Sequence, residues 1–171
     1  MPATTLPTTV DDNPFRTLVR TFGLVERVMQ PYFARFGISG SQWGVLRALQ
    51  RAKRDGRAGL RLTDLGERLI IRPPSVTGVI DRLERMALVA REPDPGDMRA
   101  KIVSLTKKGT RVVEEVLAVH QTQIDTVLGG LTADEQGELQ RLLSVLGRHL
   151  QEMIDGGGET AGRPMHSGTP D

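Results

Sequence analysis

Within residues 74–101 the side chains able to do chemistry fall into two groups. On a helix, Pro74, Gly78, Asp81 and Arg85 would share one side, flanked by Ser75, Thr77 and Arg82. That side is small and polar at its N-terminal end, which suits close approach and hydrogen bonding to base edges. It turns basic further along, which suits phosphates. Gly78 would let the backbone come close to a base pair. Arg82 is the candidate for direct readout, since a bidentate arginine–guanine contact contributes about 1–3 kcal/mol of discrimination. The second group is Asp97, Arg99 and Lys101, beside Pro95-Gly96. An arginine at such a tip suits the negative potential of a narrow minor groove, and Asp97, two residues earlier, is placed to hold it.

These groups need a rigid frame, and the neighbouring sequence supplies one. Leu62, Leu65 and Leu69 mark a short helix, with Thr63 as its cap and Asp64 and Glu67 in its first turn, where the helix dipole favours acids. Gly66 reads as a small residue at a close helix crossing, set against a loss of about 1 kcal/mol in helix propensity. Ile70-Ile71-Arg72 make a turn, Pro73-Pro74 start a second helix, and Val76, Ile80, Leu83 and Ala87 form its buried face. Val89–Arg91 and Lys101–Leu105 are β-prone runs joined by a proline–glycine tip. Two helices followed by a hairpin make a winged helix-turn-helix, here spanning residues 38–106, a shape that lays one helix in the major groove of DNA.

Helices flank this segment on both sides. Asn13-Pro14 is a strong helix start, and Phe15, Leu18, Val19, Phe22, Val25 and Met29 repeat at helical spacing. Pro31 is expected to kink or interrupt that helix before Tyr32, Phe33 and Phe36. Ser39 to Gln42 fits a capping box opening a helix with Trp43, Leu46 and Leu49 inside, and Arg51 to Gly59 reads as a polar connection. Thr106 caps a helix running through Val112, Val116, Leu117 and Ile124 to Leu128. A second capping box, Thr132 to Glu135, opens a last helix carrying Leu139, Leu142, Leu143, Leu146, Leu150 and Ile154. The fold class is therefore mainly α with a small β-hairpin wing. Residues 11–37 and 107–155 form a helical layer with more apolar surface than one such domain needs internally, which points to a homodimer rather than an intrachain bundle. Residues 1–10 and 156–171 lack any apolar period and read as disordered ends.

The net charge of +2 over 171 residues conceals an asymmetry. Residues 47–111 hold sixteen basic and eight acidic side chains, net +8, whereas residues 112–171 hold three and ten, net −7. The positive charge thus sits on the segment that would meet phosphates. There is no cysteine, which excludes disulfides, thiolate zinc sites and thiol redox sensing. His120, His149 and His166 are too far apart for metal-ligand spacing, and neither metal nor cofactor is expected. A lone helical histidine is more often a surface or interface residue than a ligand. No apolar run has the length of a membrane span and no basic-then-apolar leader opens the chain, so a cytoplasmic protein is expected.

The motifs QWGVLRAL (42–49), LTDLGERL (62–69), PPSVTGVIDRLERMALVARE (73–92), DPGDMRA (94–100) and VSLTKKG (103–109) together resemble the MarR family of bacterial transcriptional regulators, over about residues 13–155. The resemblance implies a homodimer with interleaved termini that binds a pseudo-palindromic operator on double-stranded DNA, usually as a repressor. The recognition helix would begin near Pro73, with Asp97 and Arg99 on the wing. It also implies release by a small aromatic acid or phenol bound between the helical layer and the reader, pointing to Arg16, Arg20, Trp43 and Arg47. The sequence departs from the family at two positions. Ala87 stands where glycine is common, so either a positive φ costs it about 1 kcal/mol or the turn differs. Met98 stands where a second wing arginine is common. The lack of cysteine excludes the family's peroxide-sensing branch.

The alternative is a winged-helix module that binds protein and never DNA, and the net +8 of the reader segment argues against it. An enzyme is not expected: no Ser-His-Asp set, phosphate-cradling glycine loop or catalytic acid pair is present.

Overall fold

The computed structural model describes residues 13–69 and 75–157, without the side chains of Met98 and Gly157. The elements are α1 (Pro14–Ala34), α2 (Gly40–Arg54), β1 (Leu60–Arg61), α3 (Leu62–Arg68), α4 (Val76–Arg85), β2 (Val89–Asp94), β3 (Asp97–Leu105), α5 (Lys107–Leu128) and α6 (Ala133–Gly157). The chain divides into two compact units after Val127. The expected disordered ends lie outside the described residues, except that α6 carries on through Gly156 and Gly157.

In the first unit α1 starts as its sequence dictates, the Asn13 side chain accepting from the Arg16 amide at 2.9 Å with Pro14 in the first turn. Of the two outcomes expected at Pro31, a kink or an interruption, the second does not occur: α1 runs through it to Ala34. The proline removes one amide donor, and Tyr32 and Phe33, both buried, anchor the following turn in the core. The capping box of α2 forms, with the Ser39 hydroxyl accepting from the Gln42 amide at 3.2 Å and the Gln42 side-chain oxygen accepting from the Ser39 amide at 2.8 Å. The polar run after Arg51 is helical as far as Arg54. Ala52 is buried there, and Arg51, Lys53 and Arg54 fill the last turn, where cations meet the free carbonyls.

Thr63 does not cap α3. Arg61 holds that position without a side-chain bond, because strand β1 feeds directly into the helix. Gly66 is not at a tight crossing either: a Cβ there would meet nothing within 4 Å among the described residues. The turn 70–72, Pro73 and Pro74 lie outside the described residues. The helix α4 begins at Val76, later than expected, with Ser75 as its cap accepting from the Gly78 amide at 3.0 Å. Its buried side chains are Val79, Ile80 and Leu83, so Val79 belongs to the inner face and Ala87 does not.

Ala87 lies just past the end of α4 with φ +56°. Its amide donates to Glu84 O at 2.8 Å and the Leu88 amide donates to Leu83 O at 2.9 Å. That pair of bonds is a Schellman cap, with alanine in the left-handed position usually held by glycine. The chain then enters an antiparallel sheet of order β1-β3-β2. Leu60 pairs with Val103, and Arg91 also pairs with Val103 from the other side. Two backbone approaches demand glycine. A Cβ on Gly59 would lie 2.5 Å from Val103 O, and one on Gly109 would lie 1.9 Å from Leu88 O. The second seats the start of α5 against the root of the hairpin, where the Thr106 hydroxyl accepts from the Gly109 amide at 2.9 Å and donates to Ala87 O at 2.7 Å. Leu46, Leu65, Ile80, Leu83, Leu88, Val103, Val113 and Val116 form the centre of the core that these elements share.

The second unit is essentially α6. Its capping box forms as expected, Glu135 Oε2 accepting from the Thr132 amide at 2.8 Å. Leu139, Leu142, Leu143, Leu146, Leu150 and Ile154 on it are all exposed. No helix among the described residues is long and apolar enough to cross a membrane.

Candidate nucleic-acid interface and effector cavity

The outward side of α4 presents Thr77, Asp81, Arg82 and Arg85 exposed, Gly78 half-buried between them, and Ser75 exposed at the cap. Arg82 lies back along its own helix, its Nε donating to Gly78 O at 3.1 Å. Ser75 keeps its hydroxyl proton for an outside acceptor but uses an oxygen lone pair on the cap. Pro74 cannot be placed with them, since it lies outside the described residues.

On the hairpin the turn is Pro95-Gly96 alone, flanked by the pair Asp94–Asp97. The next pair inward is Pro93–Lys101, so β3 carries three extra residues, Met98 to Ala100, opposite a single step of β2. This bulge is centred on Arg99 and frees it from the ladder, the kind of local kink that re-aims a side chain. Arg99, Asp97 and Lys101 are all exposed.

Asp97 does not hold the Arg99 guanidinium, as the sequence suggested. Its Oδ1 accepts from the Arg99 backbone amide at 3.1 Å, while its other oxygen lies 3.7 Å from Arg61. Arg61 is the cation these carboxylates grip, with its Nε donating to Asp94 at 2.7 Å. The Gly96 amide, then Arg61, holds the Asp94 carboxyl below its usual range. The wing is thereby pinned to the start of α3 and the Arg99 side chain is left without an ion pair among the described residues. A second clasp, unforeseen from the sequence, joins wing and helix. Arg91 on β2 reaches Asp81 at 2.5 Å and also pairs with Glu84, both on α4. It offsets part of the charge of two carboxylates that would otherwise oppose a polyanion.

In the first unit α1, α2, the end of α3 and α5 line a partly open cavity of about 980 Å³. Trp43 and Arg47 line it, as expected. Arg16 and Arg20 do not; they are exposed on α1 N-terminal to Phe22, where its lining begins. Sequence reasoning missed the other members, among them Glu26, Arg27, Phe33, Arg51, Arg68 and His120. His120 is the most telling. It follows Val113 and Val116 and precedes Ile124 at helical steps, a polar residue set in the inward stripe of α5, and that spacing was the available signal. Its ring stacks on Tyr32 with centroids 5.8 Å apart and meets Trp43 edge-on at 5.3 Å. Burial, then the nearby Arg47 charge, pushes its pKa down. Arg47 donates to Gln50, and burial followed by Arg51 and Arg54 lowers its own pKa. Among the described residues no three acids or histidines are grouped as a metal site.

An exposed polar helix face, a clasped hairpin and a three-stranded sheet in this order define a winged helix-turn-helix regulator. Residues 36–100 match the family model described as MarR family. The chain is 32% identical to the HTH-type transcriptional regulator YkoM of Bacillus subtilis, over 83% of this chain and 89% of that one. It also resembles the structure of Bordetella bronchiseptica BpsR, whose DNA binding is regulated by 6-hydroxynicotinic acid (28% identity, TM-score 0.70, 82% of this chain and 97% of that one). A mutant of MarR from E. coli, complexed with operator DNA, is similar at 26% identity and TM-score 0.64, over 79% of this chain and 99% of the other. The chain belongs to the MarR family.

Proposed function

We propose that the chain is a repressor that binds a pseudo-palindromic operator as a homodimer and is released by a small aromatic acid or phenol. It carries no catalytic step and acts in the cytoplasm. The observation that carries the reading is the pairing of the open α4 face with a wing whose bulge turns Arg99 outward. Thr77, Gly78 and Arg82 read bases in the major groove, with Ser75 at the entry to the helix; Pro74, outside the described residues, is a further candidate contact. Arg85 and Lys101 meet phosphates, and Arg99 enters the minor groove with its backbone set by Asp97. The dimer is supported by apolar side chains left in solvent, Phe15, Val19, Phe22, Val25 and Val28 on α1 and the leucine series of α6. A twofold pair of α4 helices would need to sit about 34 Å apart to meet successive major grooves. Release is supported by the cavity, which offers Phe33 and Trp43 as aromatic walls and Arg47 as a cation.

Selection of bound DNA from a random pool tests this. The expected product is a twofold-symmetric site with half-sites one helical turn apart, bound with affinity that falls steeply with salt. Recovery of no enriched site, or a flat salt response, overturns the reading. Arg99→Ala is expected to weaken binding to that site in a gel shift, and unchanged affinity removes the wing from the mechanism.

A further inference from the structure

The cavity is walled by more than aromatic rings and arginines, and His120 supplies what they lack. The Tyr32 hydroxyl lies 3.1 Å from Val116 O and 3.2 Å from His120 Nδ1. Tyrosine has one proton for two neighbours. Were it given to Nδ1, two lone-pair-bearing oxygens would face each other at 3.1 Å with nothing between them. Giving it to Val116 O, with Nδ1–H donating to the tyrosine oxygen, satisfies all three atoms. The ring proton is therefore on Nδ1 and the free lone pair is on Nε2. No partner for Nε2 exists among the described residues, and no buried side-chain nitrogen or oxygen among them lacks one, so Nε2 is open to solvent. His120 is also a wall of the cavity.

Resting on the reading of this cavity as an effector site, we propose that His120 is its specificity-determining residue. Nε2 accepts a hydrogen bond from a ring hydroxyl, so that hydroxylated aromatic acids are selected over unsubstituted ones. Glu26, Gln30, Ser39 and Ser41 also carry acceptor oxygens on the lining, but His120 is the acceptor set against the aromatic rings of Tyr32, Phe33 and Trp43, where a ligand ring would stack. Arg27, Arg47, Arg51 and Arg68 only donate, and they outnumber the single acid Glu26, so they suit a carboxylate. The lowered pKa of His120 keeps the ring neutral near pH 7, as an acceptor must be. Arg47 from α2 is the charge that opposes its protonation, and Tyr32 from α1 is the titratable group it touches. A site built to accept a hydroxyl discriminates against an analogue without one, because the acceptor is then left unpaired.

Trp43 is the chain's single tryptophan and lies against the His120 ring, so its fluorescence reports occupancy directly. The full-length protein is titrated with benzoate, with ortho-, meta- and para-hydroxybenzoate, and with the matching methoxybenzoates, which accept but do not donate. At least one hydroxybenzoate is expected to bind about tenfold tighter than benzoate and its methoxy counterpart, the scale of one hydrogen bond. His120→Phe should collapse that ratio toward unity. His120→Leu, which cannot accept a hydrogen bond, serves as a second variant if the first fails to fold, and Tyr32→Phe, which unlocks the tautomer, should reduce the ratio in part. Equal affinities in the wild type, or a preference that survives loss of His120, overturns the role of His120 while the aromatic-acid reading stands. If no acid in the panel binds, by fluorescence or by calorimetry, both fall together.

Discussion

Replacing Ala87 with glycine should stabilise this protein. At φ +56° the alanine methyl crowds its own backbone, a cost of about 1–2 kcal/mol for a left-handed L-residue. Glycine relieves that crowding but gains freedom in the unfolded chain, which takes back about 0.4–1 kcal/mol. The methyl is exposed and fills no core space, so removing it costs no burial. Both Schellman bonds are made by backbone and survive the change. The net expectation is about 0.5–1 kcal/mol of added stability. In urea melts at matched protein concentration the midpoint should rise with an unchanged slope. A midpoint that stays level or falls would refute the argument that this turn is strained. Operator affinity should be retained or improved, because the turn joins the reading helix to the wing.

Two further outcomes follow from the ionic and aromatic contacts. Arg91→Ala should lower stability by about 1 kcal/mol, the contacts being partly open to solvent and therefore screened. It should also weaken operator binding by exposing Asp81 and Glu84; a gel shift that shows no loss would mean the clasp has no part in presenting α4. His120 has a lowered pKa in the folded state, so its neutral form contributes stability fully above the unfolded histidine value of about 6.5. That contribution should decline as pH falls below that value, and melting curves between pH 7 and pH 5 should show a smaller decline in His120→Asn.

The frame of this fold was written plainly in the chain, because caps and helical periods are local signals. Asn13-Pro14, the Ser39–Gln42 and Thr132–Glu135 boxes and Thr106 all place a capping side chain on their own helix, whatever else it touches. Where tertiary contacts decide, the sequence left the outcome open or misled. Pro31 survives inside α1 because its neighbours Tyr32 and Phe33 are held by other elements. Thr63 loses the capping position because Leu60 and Arg61 are drawn into pairing with β3. The same division holds at the site. The exposed face of α4 follows from its own period, with Ser75 shifted to the cap. The partners of Asp97 and Asp81 do not, since Arg61 and Arg91 arrive from other strands. His120 was visible as a histidine but not as a cavity wall, because that role depends on Tyr32 and Trp43, from α1 and α2.

Among the described residues the order β1-β3-β2 leaves one side of β2 unpaired along its length, and a bare strand edge invites another strand to dock. Here the edge is blunted three ways. Pro93 offers no amide, Arg91 and Glu92 place charges along it, and the bulge opposite Pro93 breaks its straight run. The other edge, β1, is only two residues long. The irregular hairpin that frees Arg99 from the ladder thus also guards the sheet against edge-to-edge aggregation.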